Sequence, residues 1–441
     1  MRLTPSTRVY LLAVFLCAAL TVCSRTLDDR GGPRFIASLA VAGITYLFAV
    51  REFFSAPALP RRVVIMGLVV AAVWHVQFLR MPPGPDDDVH RYVWDGRIQR
   101  LGYNPYLVVP SDPGARRLHT SETRNLNNPD VPSPYPAGAQ LFFRAVTAIH
   151  ESTSALKLAF VFCDFAIVFV VLHILRREDR GAHLVLVYAW NPLLAFEVAG
   201  SGHVDIVGAL LLVISFAALL HRRGAIAAVT FGLAVAVKFL PLVLLPAYWK
   251  RVRLRDAVLA VSVIALLYLP FVDHSRIPIG SLLTYVQTWR FNDPVFARLE
   301  ELVPQIAAGL PVIVGFVTAT WLTRTDPQSF SDLFAWPMAA SLLCAPAVYP
   351  WYLIWLLPFL RSASTLPLVI WTVSIIPTYV VWHLRTLGRP WSVPGWIVLL
   401  EYGSVATAGA VIAFLRAHKR SDPRNATLNP ECRVSHPPHH R

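Results

Sequence analysis

The sequence predicts an all-α, polytopic membrane protein, and three observations carry that prediction. Hydrophobic residues make up 55% of the 441-residue chain and charged residues only 15%, against about a quarter charged in a soluble domain. Mean hydropathy is +0.52. The apolar residues also fall in runs close to the roughly 17–25 residues that a helix needs to cross a bilayer.

Taken in order, the first run, Val9 to Val22, follows Arg2 and Arg8 as a secretory signal would. With so many apolar runs behind it, an uncleaved first helix is expected instead. The candidate spans are 9–24, 35–50, 63–80, 155–175, 183–200, 204–220, 224–249, 256–272, 303–322, 333–349, 351–360, 365–383 and 394–415. Several are short, and Ala345-Pro346 and Tyr349-Pro350 suggest broken or re-entrant helices. The 224–249 stretch lies between His221-Arg222-Arg223 and Lys250-Arg251-Val252-Arg253. With both clusters on one side, it must enter and return as two short helices around Lys238. The expectation is about 12–14 passes in a single transmembrane domain. That domain covers 1–415, with an external loop at 81–154 and a disordered cytoplasmic tail at 416–441.

Charge sets the orientation. The net charge of +14 does not form a basic domain; the bases punctuate the apolar runs, so no nucleic-acid partner is expected. The richest short loops hold Arg51/Arg61/Arg62, Arg176/Arg177/Arg180, Arg222/Arg223, Lys250/Arg251/Arg253/Arg255 and Arg416/Lys419/Arg420. Placing them on the cytoplasmic side of a cell membrane makes both termini cytoplasmic and the 81–154 loop extracytoplasmic. Ser201-Gly202-His203, Asp273-His274, Tyr349-Pro350 and His383-Leu384-Arg385 then lie outside too. The sequon Asn425-Ala426-Thr427 falls in the inside tail. There is no internal repeat. Cys17, Cys23, Cys163, Cys344 and Cys432 form no C-x-x-C pair, so neither a zinc site nor a disulfide framework is indicated.

Candidate chemistry gathers on the outer side. Asp86-Asp87-Asp88 opens the external loop directly after Pro82-Pro83-Gly84-Pro85. Carboxylates at a bilayer edge are costly unless solvated or used, and a partly desolvated one is a competent general base for a hydroxyl. The other reading is a helix N-cap, since Val89 to Leu101 reads as helix. Tyr135-Pro136, between Asn127-Asn128-Pro129 and Gln140-Leu141-Phe142-Phe143, predicts an amphipathic external helix that lines a groove or merely anchors at the interface. Gly200-Ser201-Gly202-His203-Val204-Asp205 combines backbone amides, a helix N-terminus and His203, which suits a phosphate; an ordinary glycine turn capped by Asp205 is the alternative. Lys238 either snorkels or faces a polar cavity, where a phosphate would satisfy it. Trp289-Arg290-Phe291-Asn292-Asp293 and Tyr349-Pro350-Trp351-Tyr352 offer aromatic faces for sugar rings and a guanidinium for phosphate. Arg80, Arg91, Arg97, Arg385 and Arg389 are further external cations, or ordinary headgroup contacts.

These residues carry a resemblance. Asp87-Asp88-Val89-His90-Arg91-Tyr92-Val93-Trp94-Asp95-Gly96, then Gly102-Tyr103-Asn104-Pro105-Tyr106, Asn128-Pro129 and Tyr135-Pro136 resemble the first external loop of the C-superfamily (GT-C) of integral membrane glycosyltransferases. The group resembled is the bacterial polyprenol-phosphate-dependent mannosyltransferase-like proteins. Gly202-His203-Val204-Asp205, Gly232…Lys238…Pro241 and Tyr349-Pro350-Trp351-Tyr352 recur there in the same order, so the likeness covers roughly residues 60–360. Tyr135-Pro136-Ala137 stands where relatives usually carry Tyr-Pro-Pro. The resemblance implies a hexosyltransferase that moves a sugar, mannose foremost, from a polyprenyl-phosphate donor to a glycan or glycolipid acceptor, with inversion. It implies Asp88 or Asp87 as the base. With the residues read above, it places His203, Lys238 and Arg91 around the donor phosphate. Tyr92, Trp94, Asp95, Asn104, Tyr135, Asp205, Arg290 and Tyr349 are then expected to line the substrates. No cofactor or metal is called for, although a divalent cation is compatible.

Two other readings stay open. A transporter or flippase of lipid-linked sugars would carry inverted repeats and mid-membrane ionisable residues. Alternatively, Asp86-Asp87-Asp88 with His90 would hold Mg²⁺ or Mn²⁺ in a metal-dependent transferase.

Overall fold

The computed structural model describes residues 3–26, 29–84, 87–273, 278–325 and 330–421. Asp86, His274, Cys432 and the 425–427 sequon lie outside the described residues. Within them the chain is helical, and its extended pairing is a single bridge between Phe291 and Ala347.

Three long apolar helices come first: α1 (Pro5–Ser24), α2 (Pro33–Ser55) and α3 (Arg61–Leu79). Thr4 caps α1 by accepting from the Thr7 N–H, and prolines open α1 and α2, where a missing N–H costs nothing. The polar loop that follows is itself helical, with α4 (Asp88–Arg100) packed on α5 (Ala137–Ile149). Both fall where helix was expected. α6 (Thr153–Arg177) runs back across. Next, the stretch through α7 (Val185–Ala189) meets a π-helical stretch, Leu194–Ser201, at a bend of 56°. Gly202 ends that stretch at φ +79°, a left-handed conformation; a Cβ there would also sit 2.9 Å from Cγ of Lys157. α8 (Asp205–Leu220) starts directly afterwards.

α9 (Gly224–Val237) stops at Lys238, which is extended. The chain returns through a 3₁₀ turn, Leu240–Leu244, and α10 (Leu245–Tyr248), each with a proline in its first turn. This is the enter-and-return hairpin around Lys238. The remainder comprises α11 (Leu254–Tyr268), α12 (Leu282–Thr288), α13 (Pro294–Leu302), α14 (Leu310–Thr325) and α15 (Phe330–Leu343). After 3₁₀ turns over Pro350–Phe359 come α16 (Leu366–Ser374), α17 (Val380–Thr386) and α18 (Gly395–Ser421). α18 passes the expected boundary at 415, so the first residues of the tail continue a helix.

Among the described residues eight helices are long and apolar enough to span a membrane, or nine if the bent pair is one span. That is fewer full-length spans than the expected passes. The shortfall lies in Asp205–Leu220, Gly224–Val237, Phe330–Leu343 and Pro350–Phe359, each shorter than 18 residues. Large apolar side chains such as Phe169, Leu266, Val317 and Leu399 are exposed around the outside, as lipid-facing residues are. The chain is a multi-pass, all-α membrane protein.

Side-chain pairs sort the connections into two ends. At one, Arg8 pairs with Glu52 at 2.9 Å, and Arg361, buried, with Glu178 at 2.8 Å. At the other, Arg30 pairs with Asp87, and Asp29 meets His383 at 3.0 Å. The basic clusters go with the first end and the 81–154 loop with the second.

Candidate active site

The loop end encloses a cavity of about 1090 Å³, above the roughly 300–1,000 Å³ of an ordinary small-ligand pocket. It therefore has room for more than one substrate. Its polar floor comes from several elements: Asp87 and Asp88 at the start of α4, Glu197 and His203 around the bend, Asp205 at the start of α8, and Lys238 in the break after α9. One flank is apolar, with Leu240, Leu282, Val286 and Pro311.

Asp87 and Asp88 are adjacent in sequence and opposite in situation. Asp87 occupies the N-cap position of α4 without making a side-chain cap bond. Its carboxylate takes both guanidinium nitrogens of Arg30, one at 2.9 Å, and the Gly84 N–H at 2.6 Å. It is buried. Asp88 is half-buried and lines the cavity. Among the described residues it accepts from neutral donors: Asn127 Nδ2 at 2.5 Å, Tyr135 Oη at 2.9 Å and Tyr92 Oη at 3.4 Å. Burial, and next the Asp88 carboxylate itself, push both phenols well above the usual range, so they remain O–H donors.

The His203 ring is fixed on two sides. Its Nδ1 lies 2.9 Å from Glu197 Oε2, and its face stacks on Trp351 at 4.1 Å. Tyr379 donates to Glu197 from behind. Trp351 in turn stacks on Tyr349 at 4.5 Å, and Tyr349 on Phe291 at 4.3 Å, giving a continuous aromatic wall. Across the floor, Lys238 Nζ sits 2.7 Å from Asp205 Oδ1 and 3.9 Å from the centre of the Tyr352 ring. Trp355 Nε1 donates to the same Asp205 oxygen at 2.7 Å. Lys238 thus faces the cavity rather than snorkelling, with Asp205 as its hydrogen-bond partner among the described residues and the Tyr352 ring against its ammonium.

Asp88, Asp87, His203, Lys238, Tyr135, Asp205, Arg290 and Tyr349 are therefore brought together on one cavity. The other expected residues support it from behind. Arg91 touches the cavity, but its guanidinium is taken up by Asp95 at 3.2 Å and by the carbonyls of Asn128 and Val131 at 3.1 and 2.8 Å. It holds the 126–136 wall in place instead of reaching for a phosphate. Asp95 is fully buried; burial raises its carboxyl, against Arg91, Ser133 and Gln140. Tyr92 stacks on Phe143 at 4.3 Å beneath Asp88. Trp94 stacks on His119 at 4.2 Å in a separate small core with Ile98, Ala115 and Leu126. Asn104 is a turn residue, accepting from the Tyr106 N–H and donating to the Phe271 carbonyl. Arg290 pairs with Glu300 at 2.7 Å. His90 bonds the Glu122 carbonyl at 2.7 Å, and among the described residues no three potential metal ligands converge.

Arg30, Glu197, Trp355 and Tyr379 are the members that sequence reasoning missed. Glu197 had a signal, as a lone acid inside an apolar run. Arg30, in the short polar turn Asp29-Arg30-Gly31-Gly32, gave none beyond its position between two spans.

No curated protein matches the chain. Its fold is similar to that in the crystal structure of ArnT from Cupriavidus metallidurans bound to undecaprenyl phosphate. The sequence identity is 16%, over 80% of this chain and 74% of that one, with a TM-score of 0.46. Residues 18–252 match the family model described as alpha-(1->6)-mannopyranosyltransferase, N-terminal domain. That match takes in the 81–154 loop, the His203 turn and Lys238, over more than half of the 441 residues. The chain, a membrane glycosyltransferase, belongs to the alpha-(1->6)-mannopyranosyltransferase family.

Proposed function

We propose that the chain transfers a hexose, mannose first among the candidates, from a polyprenyl-phosphate donor to a glycan or glycolipid acceptor. The reaction takes place at the extracytoplasmic face of the cell membrane and inverts the anomeric centre. The observation that carries this reading is the contrast between the two aspartates. Asp87 is locked against Arg30, whereas Asp88 stands on the cavity, held by neutral donors among the described residues.

In this mechanism Asp88 accepts the proton of the acceptor hydroxyl as that oxygen attacks the anomeric carbon. The bond from that carbon to the phosphate oxygen breaks on the opposite side, and the polyprenyl phosphate leaves with the electron pair. Developing charge on the phosphate is met by Lys238 and by His203, which Glu197 orients. Tyr135, Tyr92 and Asn127 fix the carboxylate so that its direction is set before substrate arrives. The apolar flank at Leu240, Leu282, Val286 and Pro311 suits the first isoprene units.

The test is transfer of label from polyprenyl-phosphate [¹⁴C]mannose into glycolipid or polysaccharide by membranes carrying the protein. Asp88→Asn should lower transfer by about two to four orders of magnitude, the range for a lost general base. Unchanged transfer in Asp88→Asn, with loss in Asp87→Asn, would move the base to Asp87. Silence of the wild type with every polyprenyl-phosphate sugar would reject the donor class.

A further inference from the structure

The exposed end of the cavity differs in chemistry from its floor. Trp289, Trp382 and Trp391 line it, with the guanidinium-bearing Arg385 and Arg389 beside them. Trp382 and Trp391 meet edge to face at 5.0 Å, and Arg385 lies over Trp391 at 5.4 Å. None of the three tryptophans is fully buried. Partly exposed tryptophans at a cavity mouth keep apolar ring surface in contact with water, which favours a ligand that covers it. The rim is also rigidly built. Phe291 pairs its backbone with the 346–348 segment, at 3.2 Å to the Pro346 carbonyl and 2.8 Å from the Val348 N–H. Its ring packs on both Trp382 and Trp391 at 5.9 Å.

We infer that this rim, carried by Trp289, Trp382 and Trp391, is the subsite that holds the acceptor glycan behind its reacting hydroxyl. The inference rests on the transferase reading above. A pyranose offers an apolar C–H face to an aromatic ring and hydroxyls to guanidinium donors at its edge, the two surfaces that the rim presents. The donor sugar must sit at the floor, where Asp88 and Lys238 are, so the rim is left to sugars behind the reacting hydroxyl. A floor and a rim within one cavity of about 1090 Å³ match an acceptor whose end reacts while its next residues are held. The rim lies outside residues 18–252, the stretch that matches the family model.

The experiment measures binding of mannose and of α-(1→6)-linked mannotetraose to the purified full-length protein by titration calorimetry. It also measures KM for donor and for acceptors of increasing length. In the wild type the tetraose should bind tighter than mannose. Trp391→Ala should weaken tetraose binding by about ten-fold, as loss of an aromatic anchor does, and should flatten the dependence of KM on acceptor length. Trp391→Phe should restore most of both. Trp289→Ala, on another segment of the rim, should act in the same direction and guards against misfolding of one variant. Wild-type tetraose affinity in both alanine variants would overturn the inference, as would a change confined to the donor KM. Asp88→Asn separates the two readings: it should bind tetraose normally and fail to transfer. Normal transfer in that variant would remove the proposed base while leaving the rim result standing.

Discussion

Asp87 and Asp88 show how far neighbours can diverge when the backbone turns between them. As the N-cap and first residue of α4 they point to different surroundings, one to Arg30 and the other to the cavity. The Arg30–Asp87 pair is largely withdrawn from water, with side-chain exposures of 13% and 4%. Removing one partner of such a pair strands the other charge, which costs about 3–5 kcal/mol. Arg30→Met should therefore lower the thermal midpoint of the detergent-solubilised protein markedly and depress transfer, because the start of α4 also sets Asp88. Arg30→Lys should recover part of the stability. A midpoint equal to wild type in Arg30→Met would mean that Asp87 finds another partner and that the pair does not fix α4.

At the scale of elements, α18 reaches the cavity without lining it. Glu401, fully buried, accepts Asn292 Nδ2 at 3.0 and 3.1 Å and Trp371 Nε1 at 2.6 Å. The neighbouring Tyr402 donates to the Asn292 carbonyl at 2.8 Å. Asn292 is held at φ +52°, the left-handed region that Asn tolerates. The segment bearing Trp289 and Arg290 is thus fastened to a transmembrane helix. Glu401→Ala leaves two buried donors unmet, at about 1–3 kcal/mol each. It should make the 289–293 segment more open to limited proteolysis, while Glu401→Gln, which still accepts, stays close to wild type. Equal proteolysis of wild type and Glu401→Ala would show that the backbone pairing with 346–348 suffices. Much of this layer was legible in the sequence, because spans, the α4 helix and the break at Lys238 are written in apolar runs and prolines. The pairings were not. Arg30 with Asp87, Glu197 with His203 through a π-helical bend, and Glu401 with Asn292 depend on which helices pack together, which no local pattern encodes. Trp94 and Asn104 misled for the same reason: a motif of site residues also contains those that only hold its loop.

For the whole molecule, the question is which end faces out. The end opposite the cavity gathers the short basic loops, and the cavity end gathers the long loop with its acids, histidines and tryptophans. Basic short loops stay in the cytoplasm during insertion, so the proposed function predicts a cavity that faces outside and termini that face inside. Single cysteines in a background with Cys17, Cys23, Cys163, Cys344 and Cys432 replaced by serine give a direct reading. Gly114 lies exposed in the long loop, and an added Cβ there meets nothing within 4 Å, so Gly114→Cys is structurally silent. Arg255, whose side chain is 74% exposed, marks the basic end. A membrane-impermeant maleimide should label Gly114→Cys in intact cells and Arg255→Cys only after permeabilisation. The reverse pattern would put Asp88 in the cytoplasm, where nucleotide sugars as well as lipid-linked ones are within reach. The polyprenyl-phosphate donor would then lose the topological reason for its use: an extracytoplasmic site needs a sugar already carried across the membrane.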